Sequence, residues 1–436
     1  MIDRTAWFTE ARFGLFVHWG LYALAARHEW VKQREKLTDE RYQRYFDNFR
    51  ADRYDPRQWA ADARRAGMRY AVLTTKHHEG FCLWESALTD YQATNTPAGR
   101  DLVAEFVDAF RAEGLRIGFY HSLLDWHHPD FTVDTWHPQW DADLDDAGLA
   151  ALNAGRDPDR YVAYLHGQVR ELVSRYQPDI MWFDFSYSAD ARARVGKGRA
   201  DWQSDELVRL IRELKPDILL NDRLDLPESA DFVTKEEVAP HAAPTAGGRA
   251  IPWEACRTLN GSWGYAPGFQ QWLDAGQVVR LLVDSVAKGG NLLLNVGPTG
   301  RGAFEPQARE LLAAVGEWTA QHGEALYGAG SAHPLTVSAD CRLTRSGDRL
   351  FLHVFTWPAG HLLLEGVDWW GRVEYAAFLH DGAEVPVSSG AGEDSDLPET
   401  LRMSGPPGSI VLRLPVVRPD VLLPVVELTL RGSAAA

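Results

Sequence analysis

Eight short apolar runs recur between residues 13 and 298, and amphipathic stretches separate most of them. The runs are Phe13–Gly20, Tyr70–His77, Arg116–Ser122, Asp179–Ser186, Ile218–Arg223, Asp231–Glu237, Trp253–Thr258 and Asn291–Pro298. Among the intervening stretches, Pro56–Ala66, Asp101–Glu113, Arg160–Tyr176, Ser204–Leu214 and Gly276–Lys288 carry a helical period. The junctions repeat as well. ARRAGMRYAVL and FRAEGLRIGFY share a helix–Gly–strand passage, with Gly where a helix ends. VSRYQPDIMWF and IRELKPDILLN share a helix–Pro-Asp-Ile–strand passage. Repeated β–α units in this number predict parallel strands closed into a (β/α)8 barrel of the TIM type. An open doubly wound sheet is the other arrangement for eight strands. No GxGxxG follows the first run, which removes the commonest reason to prefer it.

The texture changes after Gly328-Ala329-Gly330-Ser331. Helical periods stop, and short alternating runs such as CRLTRSGDRLFLHVF, VEYAAFLH and VVELTLRG take over. The fold class expected is therefore α/β: a barrel over residues 1–330, then a C-terminal antiparallel β-sandwich over 331–436. Ser389–Pro398 reads as a polar loop.

Composition narrows the partners. The formal net charge is −16, with no basic run, which argues against nucleic acid and anionic membrane surfaces. No apolar run reaches the length of a membrane span. No apolar leader is visible in MIDRTAWFTEARFG, so a cytoplasmic location is expected. Cys82, Cys256 and Cys341 lie far apart without a CxxC and read as small buried residues. Seventeen tryptophans supply flat apolar faces of the kind that sugars need. Oligomeric state is left open, a homo-oligomer included.

In a barrel of this type the C-terminal strand ends form the active site. Here they carry His18 and Trp19, Lys76 to Glu79, Tyr120 to Ser122, Trp182 and Asp184, Asn221 to Arg223, Thr234 to Glu237, and Asn295. Trp253 and Glu254 open the seventh run. Packing alone favours Val, Ile and Leu inside a barrel, so this ring of polar groups points to chemistry. Metal-dependent hydrolysis is disfavoured. His77 and His78 are adjacent, and a regular strand turns neighbours to opposite faces. There is no HxH in the first strand and no HExxH. The turn Gly297–Gly302 is weak evidence for an anion site. Two carboxylates in a cleft of Trp, His and Arg match glycoside hydrolysis best. No metal and no cofactor is expected.

The chain resembles the α-L-fucosidases of glycoside hydrolase family 29. The resemblance rests on WFTEARFGLFVHWG, HEW, TTKHHEGFCLW, GFYHSLLDW, MWFDF, NDR, PWEACRTLNGSWGY and KGGNLLLNVGPTGRG, in that order, followed by GEALYG. It implies a retaining, exo-acting α-L-fucosidase that releases terminal α-L-fucose from fucosylated glycans or glycosides through a covalent fucosyl-enzyme. It implies that Asp184 of the WFD block is the nucleophile. It implies sugar binding by His18, Glu29, Trp30, His77 and His78, by Tyr120 or His121, and by Trp182 and Arg223. Trp253 of the PWE block joins that set. For the acid/base, Glu236 ends DFVTKE, similar to a DFxTPE pattern with Lys235 in place of Pro. Glu254 of the PWE block is the alternative. The expected substrate is a fucosylated oligosaccharide or glycoconjugate. A metal-dependent TIM-barrel hydrolase and a glycan-binding protein without turnover are the competing readings.

Overall fold

The computed structural model describes residues 3–189, 195–269, 271–390 and 405–431, so residues 391–398 of the polar segment lie outside the described residues. Each of the eight apolar runs contains a strand. In chain order they are Phe13–Val17, Tyr70–Lys76, Arg116–Ser122, Ile180–Asp184, Leu219–Leu220, Val233–Glu236, Trp253–Thr258 and Asn291–Val296. They are called strands one to eight below. All pair in parallel, in the order five-four-three-two-one-eight-seven-six.

Strand five is shorter than its run, for a local reason. Asn221 turns its side chain onto strand four: Oδ1 accepts from Phe183 N at 2.9 Å and Nδ2 donates to Phe183 O at 2.8 Å. The amide thus replaces the next rung of the ladder and frees the backbone of Asp222 and Arg223 to leave the sheet. The ring closes between strands five and six through Asp231. Its N–H donates to Leu220 O, and its carboxylate accepts from Leu220 N, each at 2.8 Å.

Helices connect the strands, and their ends follow from sequence. Asp55 and Asp157 cap helices Pro56–Arg65 and Pro158–Tyr176, each with Pro in the first turn. Gly67 and Gly114, at the two repeated helix–Gly–strand junctions, take φ of 91° and 73°, which a side chain disfavours. Inside the ring, aromatic residues replace much of the usual aliphatic filling. Phe8, Phe16, Tyr70, Tyr120, Trp182 and Phe232 are buried together there. That packing raises a rigid, largely aromatic floor beneath the C-terminal strand ends.

Beyond the barrel the pairing is antiparallel. Five strands run in the order Gly330–Ser331, Cys341–Ser346, Arg349–Val354, Val425–Leu430 and Val373–Phe378. Three more, His361–Leu364, Ile410–Arg413 and Val387–Ser389, form a second sheet, and the two sheets share one apolar core. The sandwich is tied to the barrel helices: Trp318 Nε1 donates to Leu423 O at 2.8 Å, and Arg342 pairs with Asp284 at 2.6 Å. Among the described residues no helix is long and apolar enough to cross a membrane.

Candidate active site

A cavity of about 150 Å³ opens at the C-terminal end of the barrel. That is smaller than pockets for drug-sized ligands and suits one sugar ring. A larger cavity of about 750 Å³ lies far from these strand ends, between helices Ala275–Ala287 and Pro306–His322 and the segment Arg418–Leu422. It gathers none of the residues expected to act.

Asp184 ends strand four and points into the small cavity with Trp182, as the two-residue period of a strand requires. Its Oδ2 accepts from Tyr120 Oη at 2.8 Å, and its Oδ1 meets Arg223 Nη1 at 3.3 Å. Burial raises its carboxyl to about 6; Arg223 opposes the rise, Glu236 adds to it, and the Tyr120 hydroxyl opposes it.

Arg223 holds the site together. Nη2 donates to Glu236 Oε1 at 2.8 Å and Nε to Thr234 Oγ1 at 2.7 Å. Its guanidinium lies over the Trp182 ring, 5.4 Å from the centroid. One planar cation thus fixes two carboxylates in one arrangement. The two differ in exposure: the Asp184 side chain is 13% exposed and that of Glu236 is 45%. A sheltered carboxylate beside an accessible one is the asymmetry that splits a nucleophile from a proton carrier.

The histidines continue the wall from Asp184, with His78 Nε2 3.9 Å from Asp184 Oδ2. His18 Nδ1 lies 2.6 Å from Asn295 Oδ1. Asn295 Nδ2 donates to Trp263 O at 2.8 Å, which orients the amide and leaves His18 Nδ1 as the donor. Burial pushes His18 down to about 3, so the ring is neutral and its other nitrogen is an acceptor. His77 and His78 both line the cavity, with ring centroids 4.1 Å apart. The expectation that they face opposite ways fails because strand two ends at Lys76, after a register shift at Thr74. Glu29 accepts from Gly264 N at 2.9 Å, and burial raises its carboxyl to about 7. Trp30 closes the rim against His78 and Phe185.

Three expected residues stand elsewhere. His121 alternates with Tyr120 and faces the helix layer, beside Thr75 and Trp84, where it is fully buried. Trp253 sits at the opposite end of the barrel, its ring against Gly290 and its Nε1 donating to Lys288 O at 3.2 Å. Glu254 points inward but below the cavity. It accepts from the Tyr70 hydroxyl and, at 3.2 Å, from Trp182 Nε1. Burial raises its carboxyl to about 7, and it is not among the residues that line the cavity, although its partner Trp182 is. Among the described residues no group of three or more His, Cys, Asp or Glu has the arrangement to hold a metal ion.

A family model described as Alpha-L-fucosidase matches residues 3–324. The chain belongs to the α-L-fucosidase family. It is therefore a glycoside hydrolase. Tissue alpha-L-fucosidase of Bos taurus is 30% identical over 383 residues, covering 81% of this chain and 75% of the relative. The solved α-L-fucosidase isoenzyme 1 from Paenibacillus thiaminolyticus is 42% identical, with a TM-score of 0.89 over 98% of this chain and 99% of that one. A family 29 α-L-fucosidase from Bacteroides thetaiotaomicron, solved as a trapped covalent intermediate with 2-fluoro-fucosyl fluoride, is 26% identical. Its TM-score is 0.81, over 99% of this chain and 97% of that one.

Within this α-L-fucosidase framework, four lining residues escaped the sequence argument: Phe16, Phe185, Cys256 and Trp263. Phe16 was within reach, since it precedes His18 by two and shares its face. Trp263 packs with its ring centroid 5.2 Å from that of His18 but sits in the loop after strand seven, where no period points to it. Phe185 follows Asp184 with φ of 86°, a left-handed turn that a strand pattern does not announce.

Proposed function

We propose that this cavity removes a terminal α-L-fucose by double displacement, with Asp184 as nucleophile and Glu236 as acid/base. The single observation that carries the assignment is the Arg223 bridge between two carboxylates of unequal exposure. In the first step an Asp184 oxygen attacks the anomeric carbon. The bond to the leaving oxygen breaks, and that oxygen takes a proton from Glu236. In the second step Glu236 takes a proton from water, whose oxygen attacks the same carbon and releases Asp184 as the carboxylate. The covalent intermediate trapped in the Bacteroides relative supports this route. His18, His77, His78 and Glu29 meet the sugar hydroxyls, and a cavity with room for one ring favours an exo action on one residue. Phe16, Trp263 and Cys256 form an apolar corner that receives a methyl group and offers little to a C6 hydroxyl, so fucose is favoured over L-galactose. The substrate is a fucosylated oligosaccharide or glycoconjugate.

The deciding experiment is Asp184→Ala on a nitrophenyl fucoside. Release of nitrophenol is lost, and azide restores part of the rate by forming fucosyl azide. Full activity in this variant overturns the assignment.

A further inference from the structure

Glu79 follows the two cavity histidines in Lys76-His77-His78-Glu79, and the reaction above leaves it without a task. It is buried, and neither carboxyl oxygen makes a hydrogen bond of normal geometry among the described residues. A buried carboxyl left alone is costly, so its retention calls for a partner. Oε2 lies 3.7 Å from Nδ1 of His77. That nitrogen is likewise sealed off without a partner, which leaves Nε2 as the His77 nitrogen for the cavity. The fold makes room for this arrangement. A Cβ on Gly20 would stand 2.8 Å from Glu79 Oε1, so the turn after strand one is shaped around the carboxyl.

We propose that Glu79 is a positioning residue for His77: its carboxyl engages Nδ1 and thereby sets whether Nε2 meets a fucose hydroxyl as donor or acceptor. The proposal rests on the reading of His77 as a sugar-binding side chain. The contact requires a small rotation of either side chain to close the 3.7 Å gap, the kind of tightening that site contacts undergo when substrate binds. Burial pushes the Glu79 carboxyl up to about 8, with Asp125 adding to the rise, against its own backbone N–H, the Lys32 charge and the backbone N–H of Leu21. Burial also holds His77 well below its ordinary value, so the ring stays neutral. Below about pH 8 the carboxyl keeps its proton and donates to Nδ1, and Nε2–H faces the sugar as a donor. Above it the carboxylate accepts from Nδ1–H, and Nε2 turns into an acceptor. Lys32, Asp125, Tyr22, Tyr42 and Tyr91 also face Glu79. His18, His28 and His78 face His77 and are held neutral, as are the tyrosines, while Asp125 stays charged across this range, so the switch belongs to Glu79 and His77.

The test measures KM and kcat for a nitrophenyl fucoside against pH in wild type, Glu79→Leu, Glu79→Gln and His77→Gln. The wild-type KM rises as pH passes about 8. Glu79→Gln, whose amide N–H donates to Nδ1, keeps the low KM and loses that rise. Glu79→Leu raises KM about tenfold at neutral pH, as the loss of one oriented hydrogen bond requires. In a His77→Gln background the same Leu substitution changes KM less than about twofold, because its effect runs through the ring. An equal effect in both backgrounds, or a wild-type KM flat across pH 8, overturns the proposal. If His77→Gln leaves KM unchanged, the sugar-binding reading of His77 falls with it; if His77→Gln raises KM and Glu79→Leu does not, only the proposal falls. Should Glu79→Leu fail to fold, the ¹⁵N shifts of the wild-type His77 ring decide. A proton that stays on one nitrogen on both sides of pH 8 overturns the switch.

Discussion

Arg223 touches both carboxylates, so replacing it isolates the electrostatic part of the site. In Arg223→Met the aliphatic stem is kept, while the charge and the guanidinium over Trp182 are lost. Two unit charges about 4 Å apart interact by about 4 kcal/mol at an effective dielectric near 20. The Arg223 side chain is 26% exposed, so solvent screens part of this. Taking about half leaves ~2 kcal/mol, or about 1.5 pKa units. Asp184 must be ionised to attack, and burial has already lifted it to about 6. Losing the cation favours the neutral carboxyl, so the acid limb of kcat/KM moves up, to about pH 7.5. At pH 6 the ionised fraction then falls from about one half to about one thirtieth, a loss of about 15-fold. The loss is recovered toward about pH 9, because the carboxylate itself is intact. The assay is kcat/KM on a nitrophenyl fucoside from about pH 4.5 to 9. An acid limb that stays in place beneath a uniform drop refutes the reasoning and makes Arg223 a sugar contact only.

Other substitutions probe the remaining assignments. Glu236→Ala slows fucosides with poor leaving groups by about 10²–10⁴ and nitrophenyl fucosides far less, while Glu254→Gln treats both alike; the reverse pattern hands the acid role to Glu254. Trp263→Leu raises KM several-fold with kcat held, since it removes a face beside His18 that ground state and transition state share; a fall in kcat alone would contradict this. Thermal stability peaks in mildly acidic solution. Glu29, Glu254 and Glu79 have folded values raised to about 7, 7 and 8, so the stability present below their ordinary value is lost as pH rises through that range. His18 and His353 are pushed down to about 3, so the stability they share at neutral pH is lost as pH falls toward it. A melting temperature still climbing between about pH 6.5 and 8 would count against these buried carboxyls, and Glu254→Gln should lessen the part of the decline below about pH 7.

The architecture was legible because each β–α unit carries its own signals. Period, cap and junction are local, and eight repeats of them leave few ways to close. The lateral direction of side chains was legible for the same reason. Trp182 and Asp184 share a face, and Tyr120 and His121 part, as strand alternation demands. Local rules broke down where a strand stops. His77, His78 and Phe185 lie just past a strand end, and the chain there turns in response to packing against other loops.

Depth along the barrel axis was the quantity that sequence could not supply, and it sets the two glutamates apart. Glu254 and Cys256 share a face of strand seven, and Thr234 and Glu236 share a face of strand six. All four therefore look eligible by period alone. Register separates them: Glu236 pairs with Cys256, whereas Glu254 pairs with Thr234 and with Asn291. Two residues along a parallel strand amount to about 6.6 Å. Cys256 and Glu236 stand at the level of the cavity, and Glu254 lies one layer down, among Tyr70 and Trp182. Register between neighbouring strands is fixed by non-local contacts, here by Asp231 at the five–six seam and by the aromatic packing of the interior. A carboxylate in a recognisable sequence block can thus be a buried support for the indole above it, while a less conspicuous one, a layer higher, lines the cavity.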